Sequence, residues 1–182
     1  MGFKNTKERY NRLSITLHWL MVLLIAAVYA VIELKGIYPR GSEPREAMKM
    51  WHFMLGLSVL LLVLIRIFVR FSSGKAPVIT PAIANWQAML AKVVHLALYA
   101  LMLGLPIAGW FILSLSGKPI PFFGLELPAL ATENKELAKT VKEIHETAGK
   151  VGYALIGLHA VAALFHHYIR RDSTLKRMLP GK

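Results

Sequence analysis

Four histidines lie in one apolar stretch near the C-terminus, EIHETAGKVGYALIGLHAVAALFHHYIRRD, which runs from residue 143 to residue 172. Imidazole is costly to bury in hydrocarbon unless both ring nitrogens have partners, so ionisable groups within a membrane segment are candidates for function. The chemistry that imidazole offers there is metal ligation or proton transfer. The histidines of this stretch are His145, His159, His166 and His167.

The composition is that of a small membrane protein. Of the 182 residues, 55% are hydrophobic, the mean hydropathy is +0.49 and the formal charge is +12. Basic segments next to membrane spans explain this combination, whereas no nucleic-acid-binding motif accompanies the charge. The absence of cysteine excludes disulfides, thiolate metal sites, iron–sulfur clusters and thiol catalysis.

Four apolar stretches are long enough to cross a hydrocarbon core, which takes about 20 helical residues. We expect spans at 13–34, 50–71, 88–113 and 144–169. The first contains His18 and Trp19 and lacks a small-residue cleavage site, so we interpret it as a retained span and not a signal peptide. The predicted fold is an all-α integral membrane protein, a four-helix bundle that forms a single domain over 1–182. Residues 132–144 have helical spacing and are expected to lead into the last span.

Lysine and arginine are unevenly divided between the two sides of these spans. With a cytoplasmic N-terminus, the inner side carries 13 Lys and Arg residues and two acids, whereas the outer side carries nine Lys and Arg residues and eight acids. The positive-inside rule therefore predicts that both termini are cytoplasmic. The loop at 114–143 is then periplasmic.

With this topology, the histidines fall at two depths. His145 and His159 are 14 residues apart, about 3.9 turns and about 21 Å along an α-helix, so both side chains point to nearly one face. His52, at the outer start of the second span, is level with His145. His18, at the inner start of the first span, is level with His159. Two levels of paired imidazoles suit two b-type haems, whose iron then has no open position for a substrate.

Small residues near the outer pair support this interpretation. Gly56 follows His52 by four residues and Gly149 follows His145 by four, where the missing side chain lets a macrocycle approach the backbone. A single membrane histidine can equally be satisfied by a backbone carbonyl, and small residues also pack helices. A metal without porphyrin is a further alternative, but 21 Å is too long for one metal and the inner pair has no carboxylate nearby.

The remaining histidines leave alternatives open. His95 enters the third span at a depth similar to that of His18, so it is a candidate to replace His18 as a ligand, to bond a haem propionate or simply to pack. His166 and His167, with Arg170, form either an interfacial belt or a site for a quinone head group.

Five segments resemble the bacterial cytochrome b-561 family: RLSITLHWLM, WHFMLG, HLALYALMLGLPIAGW, GYALIGLHAVAALFHHY and RRDSTLKRMLP. The similarity extends from about Arg12 to Pro180. The best-understood type in that family is a di-haem protein of the bacterial inner membrane with four helices, which oxidises superoxide and reduces ubiquinone. The resemblance implies a multi-pass inner-membrane location, two haem b groups and four axial ligands, namely His18, His52, His145 and His159.

Under this hypothesis, superoxide gives electrons on the outer side and a quinone receives them. Lys49, Lys142 and Lys150 flank the outer ligands and are candidates to steer superoxide, although solvation of loops also explains such lysines. A second hypothesis is an electron-relay subunit docked to a membrane dehydrogenase or hydrogenase. A third, from another class, is a haem-free transporter or structural bundle. The expected partners are membrane lipid, quinone and superoxide, with no nucleic acid.

Overall fold

Four long helices dominate the computed structural model, which describes residues 4–180. Their bounds are Arg12–Leu34 (α1), Glu43–Ser72 (α2), Asn85–Leu115 (α3) and Lys135–Phe165 (α4). Each is long and apolar enough to cross a membrane. The expected fold class, an all-α integral membrane protein with four spans, is therefore confirmed. Lys182, which the count of inner-side charges includes, lies outside the described residues.

Two of the helices begin at an asparagine that caps their N-terminus. The amide of Ser14 donates to Oδ1 of Asn11 (2.8 Å) at the start of α1. The amide of Leu137 donates to Oδ1 of Asn134 (3.0 Å) at the start of α4. These side chains satisfy amide groups that have no partner within the helix, which fixes where each helix begins.

Two helices begin earlier than the apolar stretches suggest. The second begins at Glu43 instead of near residue 50. The fourth begins at Lys135, which agrees with the helical lead-in expected at 132–144 and makes that lead-in continuous with the last span. Hydropathy marks only the apolar part of a helix, so it misses the polar first turns. The connection expected at 114–143 correspondingly shortens to 116–134.

A short antiparallel hairpin occupies this connection. Its strands are Ile120–Phe122 (β1) and Leu125–Leu127 (β2). The turn residues Phe123 and Gly124 have φ values of 49° and 86°, as a two-residue type I′ turn requires. Ile120 is buried with Leu57 and Leu113. Sequence analysis predicts only a loop here, because strands of three residues are too short to display a two-residue period.

The chain divides into two compact units, each built from separated segments. Unit 1 consists of Met1–Leu20, Leu64–Ala100 and Val151–Lys182. Unit 2 consists of Met21–Val63 and Leu101–Lys150. Unit 1 holds His18, His95, His159, His166 and His167, whereas unit 2 holds His52 and His145. Each unit therefore contains one of the two predicted histidine pairs.

Hydrogen bonds join three polar segments of unit 1. These segments, which we call the polar clasp, are residues 5–11, 73–80 and 172–179. Asn11, which is 7% exposed, donates from Nδ2 to Oγ of Ser73 (2.7 Å). The amide of Ser173 donates to the carbonyl of Thr80 (2.9 Å), and the amide of Thr80 donates to Oγ of Ser173 (2.9 Å). The clasp satisfies backbone groups that lie outside the helices.

Candidate functional site

The histidine pair of unit 2 is formed by α2 and α4. The ring centroids of His52 and His145 lie 6.2 Å apart, and their planes make an angle of 79°. Nδ1 of His52 lies 3.2 Å from the carbonyl oxygen of Val28, a contact in which Nδ1–H donates and Nε2 is left for a ligand. His145 interacts with the backbone of Leu105 on α3, but its buried Nδ1 makes no hydrogen bond of ordinary geometry. Such atoms are uncommon in folded proteins and mark His145 as a functional candidate.

The histidine pair of unit 1 has nearly the same geometry. The centroids of His18 and His159, from α1 and α4, lie 6.2 Å apart with planes at 73°. A third ring, His95 from α3, lies 5.2 Å from His159. Unit 1 therefore gathers three imidazoles where unit 2 gathers two.

The spacing of both pairs fits two imidazoles on opposite sides of one metal ion. A metal–imidazole bond is about 2 Å long and a ring nitrogen lies about 1 Å from its ring centre, so two opposed ligands place their centroids about 6 Å apart. The steep angles between the planes are compatible with this, because each ring can rotate about its own metal–nitrogen bond. Within residues 4–180, no group of three or more His, Asp or Glu side chains is arranged to hold a metal. Two imidazoles suit haem, which brings in-plane ligands of its own.

Several glycines leave room beside these pairs. A Cβ atom built on Gly56, Gly149 or Gly157 meets nothing within 4 Å. At Gly109, by contrast, a Cβ would lie 3.7 Å from Cε1 of His145. The open positions are compatible with a flat macrocycle near the backbone, whereas Gly109 lets α3 approach the histidine itself.

The geometry separates His95 from the other two histidines of unit 1. Nδ1 of His95 lies 2.5 Å from the carbonyl of Ala91, one turn earlier in α3, which occupies this nitrogen within its own helix. The 5.2 Å separation from His159 is shorter than two opposed ligands need, whereas His18 has the fitting distance. The contacts thus favour packing or a haem contact for His95 and support His18 as the partner of His159.

The three residues suggested for a quinone site differ in their surroundings. A single π-helical turn, His166–Arg170, follows α4. Nδ1 of His166 lies 2.5 Å from Oδ2 of Asp172, a side chain of only 2% exposure. Nδ1 of His167 is buried without a hydrogen-bond partner, and Arg170 is exposed. His166 is thus engaged by Asp172, whereas His167 keeps a buried nitrogen for a further group.

Asp172 is held as a carboxylate within the polar clasp. Burial by itself raises the pKa of Asp172, but hydrogen bonds from His166 and from the amide of Thr174 (2.8 Å) outweigh burial and lower this pKa below its ordinary value of 3.8. Asp172 has no distinguishing signal in the sequence, because an acid among the basic residues of the tail resembles a solvated charge.

The lysines proposed to steer superoxide are partly neutralised by neighbours on their own helices. Nζ of Lys49 lies 2.6 Å from Oε1 of Glu46, and Nζ of Lys142 lies 3.6 Å from Oε1 of Glu146. Lys150 is exposed and has no carboxylate within ion-pair distance among residues 4–180. The pairing weakens the field of Lys49 and Lys142 without removing them from the surface near the pair of unit 2.

Two further cations in or next to the spans are functional candidates that the sequence did not identify. Lys35 is half-buried at the end of α1 and lies close enough to His52 to act on it electrostatically. Arg66 is half-buried within α2 and acts in the same way on His18 and His159. Arg66 could have been found in the sequence, because a charged residue inside the apolar run LLVLIRIFVRF is a candidate for function. The charge count above uses it only to predict topology.

Comparison with known proteins gives a consistent picture. A profile of the family described as prokaryotic cytochrome b561 matches residues 9–181. Cytochrome b561 homolog 1 of Escherichia coli K12 is 38% identical over 175 residues, which cover 96% of this chain and 99% of that protein. A protein of Yersinia pestis named Probable superoxide oxidase CybB is 39% identical, with 96% and 98% covered. Cytochrome b561 homolog 2 of Escherichia coli K12 is 31% identical, with 98% and 95% covered.

These matches run nearly from end to end of the chain and of its relatives. The four helices suited to membrane spans and the two histidine pairs agree with them. The chain therefore belongs to the prokaryotic cytochrome b561 family, whose members are multi-pass membrane oxidoreductases that carry electrons on haem b.

Proposed function

We propose that this chain oxidises superoxide at the periplasmic side of the bacterial inner membrane and passes the electrons to ubiquinone, with both termini cytoplasmic and the whole chain acting as one membrane domain. The observation that carries the proposal is that two histidine pairs have the same distance between ring centroids, 6.2 Å. It is supported by the 39% identity to a relative named as a probable superoxide oxidase. Haem b, when bound, supplies the one-electron chemistry.

Four histidines hold the two haems in this proposal. His52 and His145 would hold one haem, and His18 and His159 would hold the other. The hydrogen bond between Nδ1 of His52 and the carbonyl of Val28 orients that ring and leaves Nε2 for the iron. Held by two histidines in this way, haem b would supply electron transfer and not oxygen binding.

A basic group in unit 2 attracts superoxide in this proposal. Lys35 interacts electrostatically with three other cations and one acid. The cations, which together with Lys35 we call the basic group, are Arg45, Lys49 and Lys142, and the acid is Glu146. Lys35 also acts on His52, so the group connects the surface with one histidine pair. A local excess of positive charge concentrates a small anion and raises its rate of encounter.

Quinone reduction needs protons as well as electrons. Two superoxide anions give up two electrons and leave as oxygen, and ubiquinone takes up those two electrons with two protons to form ubiquinol. His167 is our candidate to contact the quinone head group, because Nδ1 of this residue is buried without a partner. Arg170 is exposed beside it and can donate hydrogen bonds to a quinone carbonyl.

The test is a purified chain, loaded with haem, that receives superoxide and a water-soluble ubiquinone analogue. We expect two haems per chain and ubiquinol formation in proportion to superoxide consumed, two anions per quinol. A chain with two haems that forms no more ubiquinol than protein-free buffer would overturn the superoxide reaction. If its haems were then reduced only by a copurified dehydrogenase, the relay-subunit hypothesis would replace it. A chain that takes up no haem would favour the hypothesis of a haem-free transporter or structural bundle.

A further inference from the structure

Arg66 is a charge in an unusual place. It lies in the middle of LLVLIRIFVRF, six residues before α2 ends at Ser72, or about 9 Å along the helix axis. Helical side chains leave the backbone towards the N-terminus, so Arg66 is directed away from this end of α2. A guanidinium cannot lose its proton in a protein, so the positive charge persists wherever the group is buried.

Arg66 has an aromatic partner in unit 1. The Cζ atom of Arg66 lies 6.0 Å from the ring centroid of Tyr99 on α3, and the hydroxyl group of Tyr99 interacts electrostatically with the guanidinium. A cation over an aromatic face is stabilised by the ring quadrupole, but this contact leaves the full positive charge in place. Tyr99 therefore holds the guanidinium without neutralising it.

No carboxylate of the described chain neutralises Arg66. Among residues 4–180, no acid lies within ion-pair distance of it, and the described part of unit 1 contains just two acids, Glu8 and Asp172. Asp172 is already engaged by His166. The described part of unit 1 carries twelve Lys and Arg residues against those two acids. A half-buried cation in such surroundings favours an anion from outside the chain.

The histidines of unit 1 are the groups on which this charge acts. Arg66 interacts electrostatically with His18, His95 and His159. The pair in unit 2 experiences a mixed field instead, because Lys35 acts on His52 whereas Glu146 acts on His145 with the opposite sign. Two pairs of equal geometry therefore lie in different fields.

We propose that Arg66 is a positioning residue that raises the reduction potential of the haem held by His18 and His159 above that of the haem held by His52 and His145. This inference rests on the proposed haem ligands. Each reduction adds one negative charge to the site, which a nearby cation stabilises. Haem b also carries two carboxylate groups, the class of partner that a guanidinium binds in a bidentate manner. Raising the potential at this pair favours electron movement towards it, as ubiquinone reduction near His167 requires.

The experiment is a spectroscopic redox titration of the haem-loaded chain and of the variant Arg66→Gln. We expect the reduction equilibrium of one haem to weaken about tenfold, or about 59 mV for a one-electron couple, and that of the other haem to stay unchanged. Repeating Arg66→Gln in a His145→Ala background, which retains only the haem of unit 1, should preserve the shift. In a His159→Ala background, the shift should disappear.

Three further variants control for structure. Arg70→Gln removes an exposed cation one turn further along α2. Arg70 acts electrostatically on His95 but on neither His18 nor His159, so this variant should give only a small part of the Arg66→Gln shift. Arg66→Lys should keep most of the potential because it keeps the charge. Tyr99→Phe keeps the ring but loses the hydroxyl contact, and should give a smaller shift in the same haem. If Arg66→Gln loses a haem, the redox titrations of Arg66→Lys and Tyr99→Phe test the proposal instead.

The outcomes separate this inference from the proposed function. Two bound haems with unchanged potentials in Arg66→Gln, or with equal shifts in both, would overturn the role of Arg66 while the superoxide–quinone reaction still stands. In Tyr99→Phe, a shift confined to the haem of unit 2 would also overturn it. Failure of the unsubstituted chain to reduce quinone would overturn the proposed substrate but leave the potential difference measurable.

Discussion

The two histidine pairs of this protein share a geometry but not an environment. In both units, the ring centroids are 6.2 Å apart and the planes are steeply inclined. Unit 1 surrounds its pair with a third histidine and with Arg66, in a region that has twelve cations and two acids among its described residues. Unit 2 contains nine Lys and Arg residues and eight acids. Equal ligand geometry is therefore compatible with unequal electrostatics.

Under the proposed function, the difference would let one fold give two identical cofactors separate tasks. Axial ligands set the type of haem, whereas nearby charge, burial and hydrogen bonds adjust its potential. In unit 2, Lys35 acts on His52 and interacts with three further cations and one acid, and this local excess of positive charge can attract a small anion. In unit 1, the charge is positive with few acids, which favours acceptance of electrons. The predictions that follow separate these two roles.

Removing a ligand should have the largest effect. We expect His159→Ala to lose the haem of unit 1 and His145→Ala to lose the haem of unit 2, so that each variant binds one haem per chain where the unsubstituted chain binds two. Alanine supplies no donor to the iron, and an opposed histidine alone leaves one axial position open. Haem extraction and counting, with low-temperature spectra of each variant, measure this outcome.

His95→Ala is the matched control, because this imidazole lies in the same unit and 5.2 Å from His159. It should retain two haems, since Nδ1 of His95 is engaged by the carbonyl of Ala91 and the ring spacing does not suit opposed ligation. If His95→Ala lost a haem and His18→Ala did not, the ligand assignment in unit 1 would have to be exchanged.

The next effect concerns the hydrogen-bonded pair of His166 and Asp172, just beyond the end of α4 in unit 1. Asp172→Asn should lower the free energy of unfolding by about 2 kcal/mol, because His166 and the amide of Thr174 lose a charged acceptor. Since the pKa of Asp172 is lowered in the folded state, its stabilisation is complete at neutral pH and is lost as the pH falls through that pKa, below 3.8.

Thermal or denaturant unfolding in detergent at several pH values measures this contribution. The matched variant in unit 2 is Glu133→Gln. The carboxylate of Glu133 lies 3.3 Å from Nζ of the exposed Lys135, so this substitution should change the free energy of unfolding by less than about 1 kcal/mol. Equal effects of the two substitutions would mean that the pair in unit 1 is no stronger than a surface contact. If Asp172→Asn lost stability at low pH as steeply as the unsubstituted chain does, the pH effect would belong to another group.

The fold and the paired histidines could be predicted from the sequence, whereas their surroundings could not. Apolar length predicts four spans, and the 14-residue separation of His145 from His159 places them on one helix face. The hairpin at residues 120–127 is too short to show a period, and the polar clasp depends on contacts between residues far apart in sequence. Charge partners are likewise tertiary properties, so Arg66 looks like a topological signal until its neighbours are known.

A smaller effect is expected from the basic group of unit 2. Lys35→Gln should lower kcat/KM for superoxide about fivefold at low ionic strength, and the difference should shrink as salt screens the field. The exposed Lys139 lies outside this group, so Lys139→Gln serves as the control and should change the rate by less than twofold, about 0.4 kcal/mol. Stopped-flow consumption of superoxide measures both. A salt-independent loss in Lys35→Gln would indicate a structural role for Lys35 instead of steering.

The smallest effect is expected where α3 passes His145. In Gly109→Ala, the added Cβ would lie 3.7 Å from Cε1 of His145, an ordinary van der Waals contact, and alanine gains up to about 1 kcal/mol in helix propensity over glycine. We expect two haems, stability within about 1 kcal/mol of the unsubstituted chain, and a slight spectral change confined to the haem of unit 2. Loss of that haem would mean that the ring of His145 moves closer to α3 when it ligates iron. A change confined to the haem of unit 1 would contradict the assignment of His145 to the haem of unit 2.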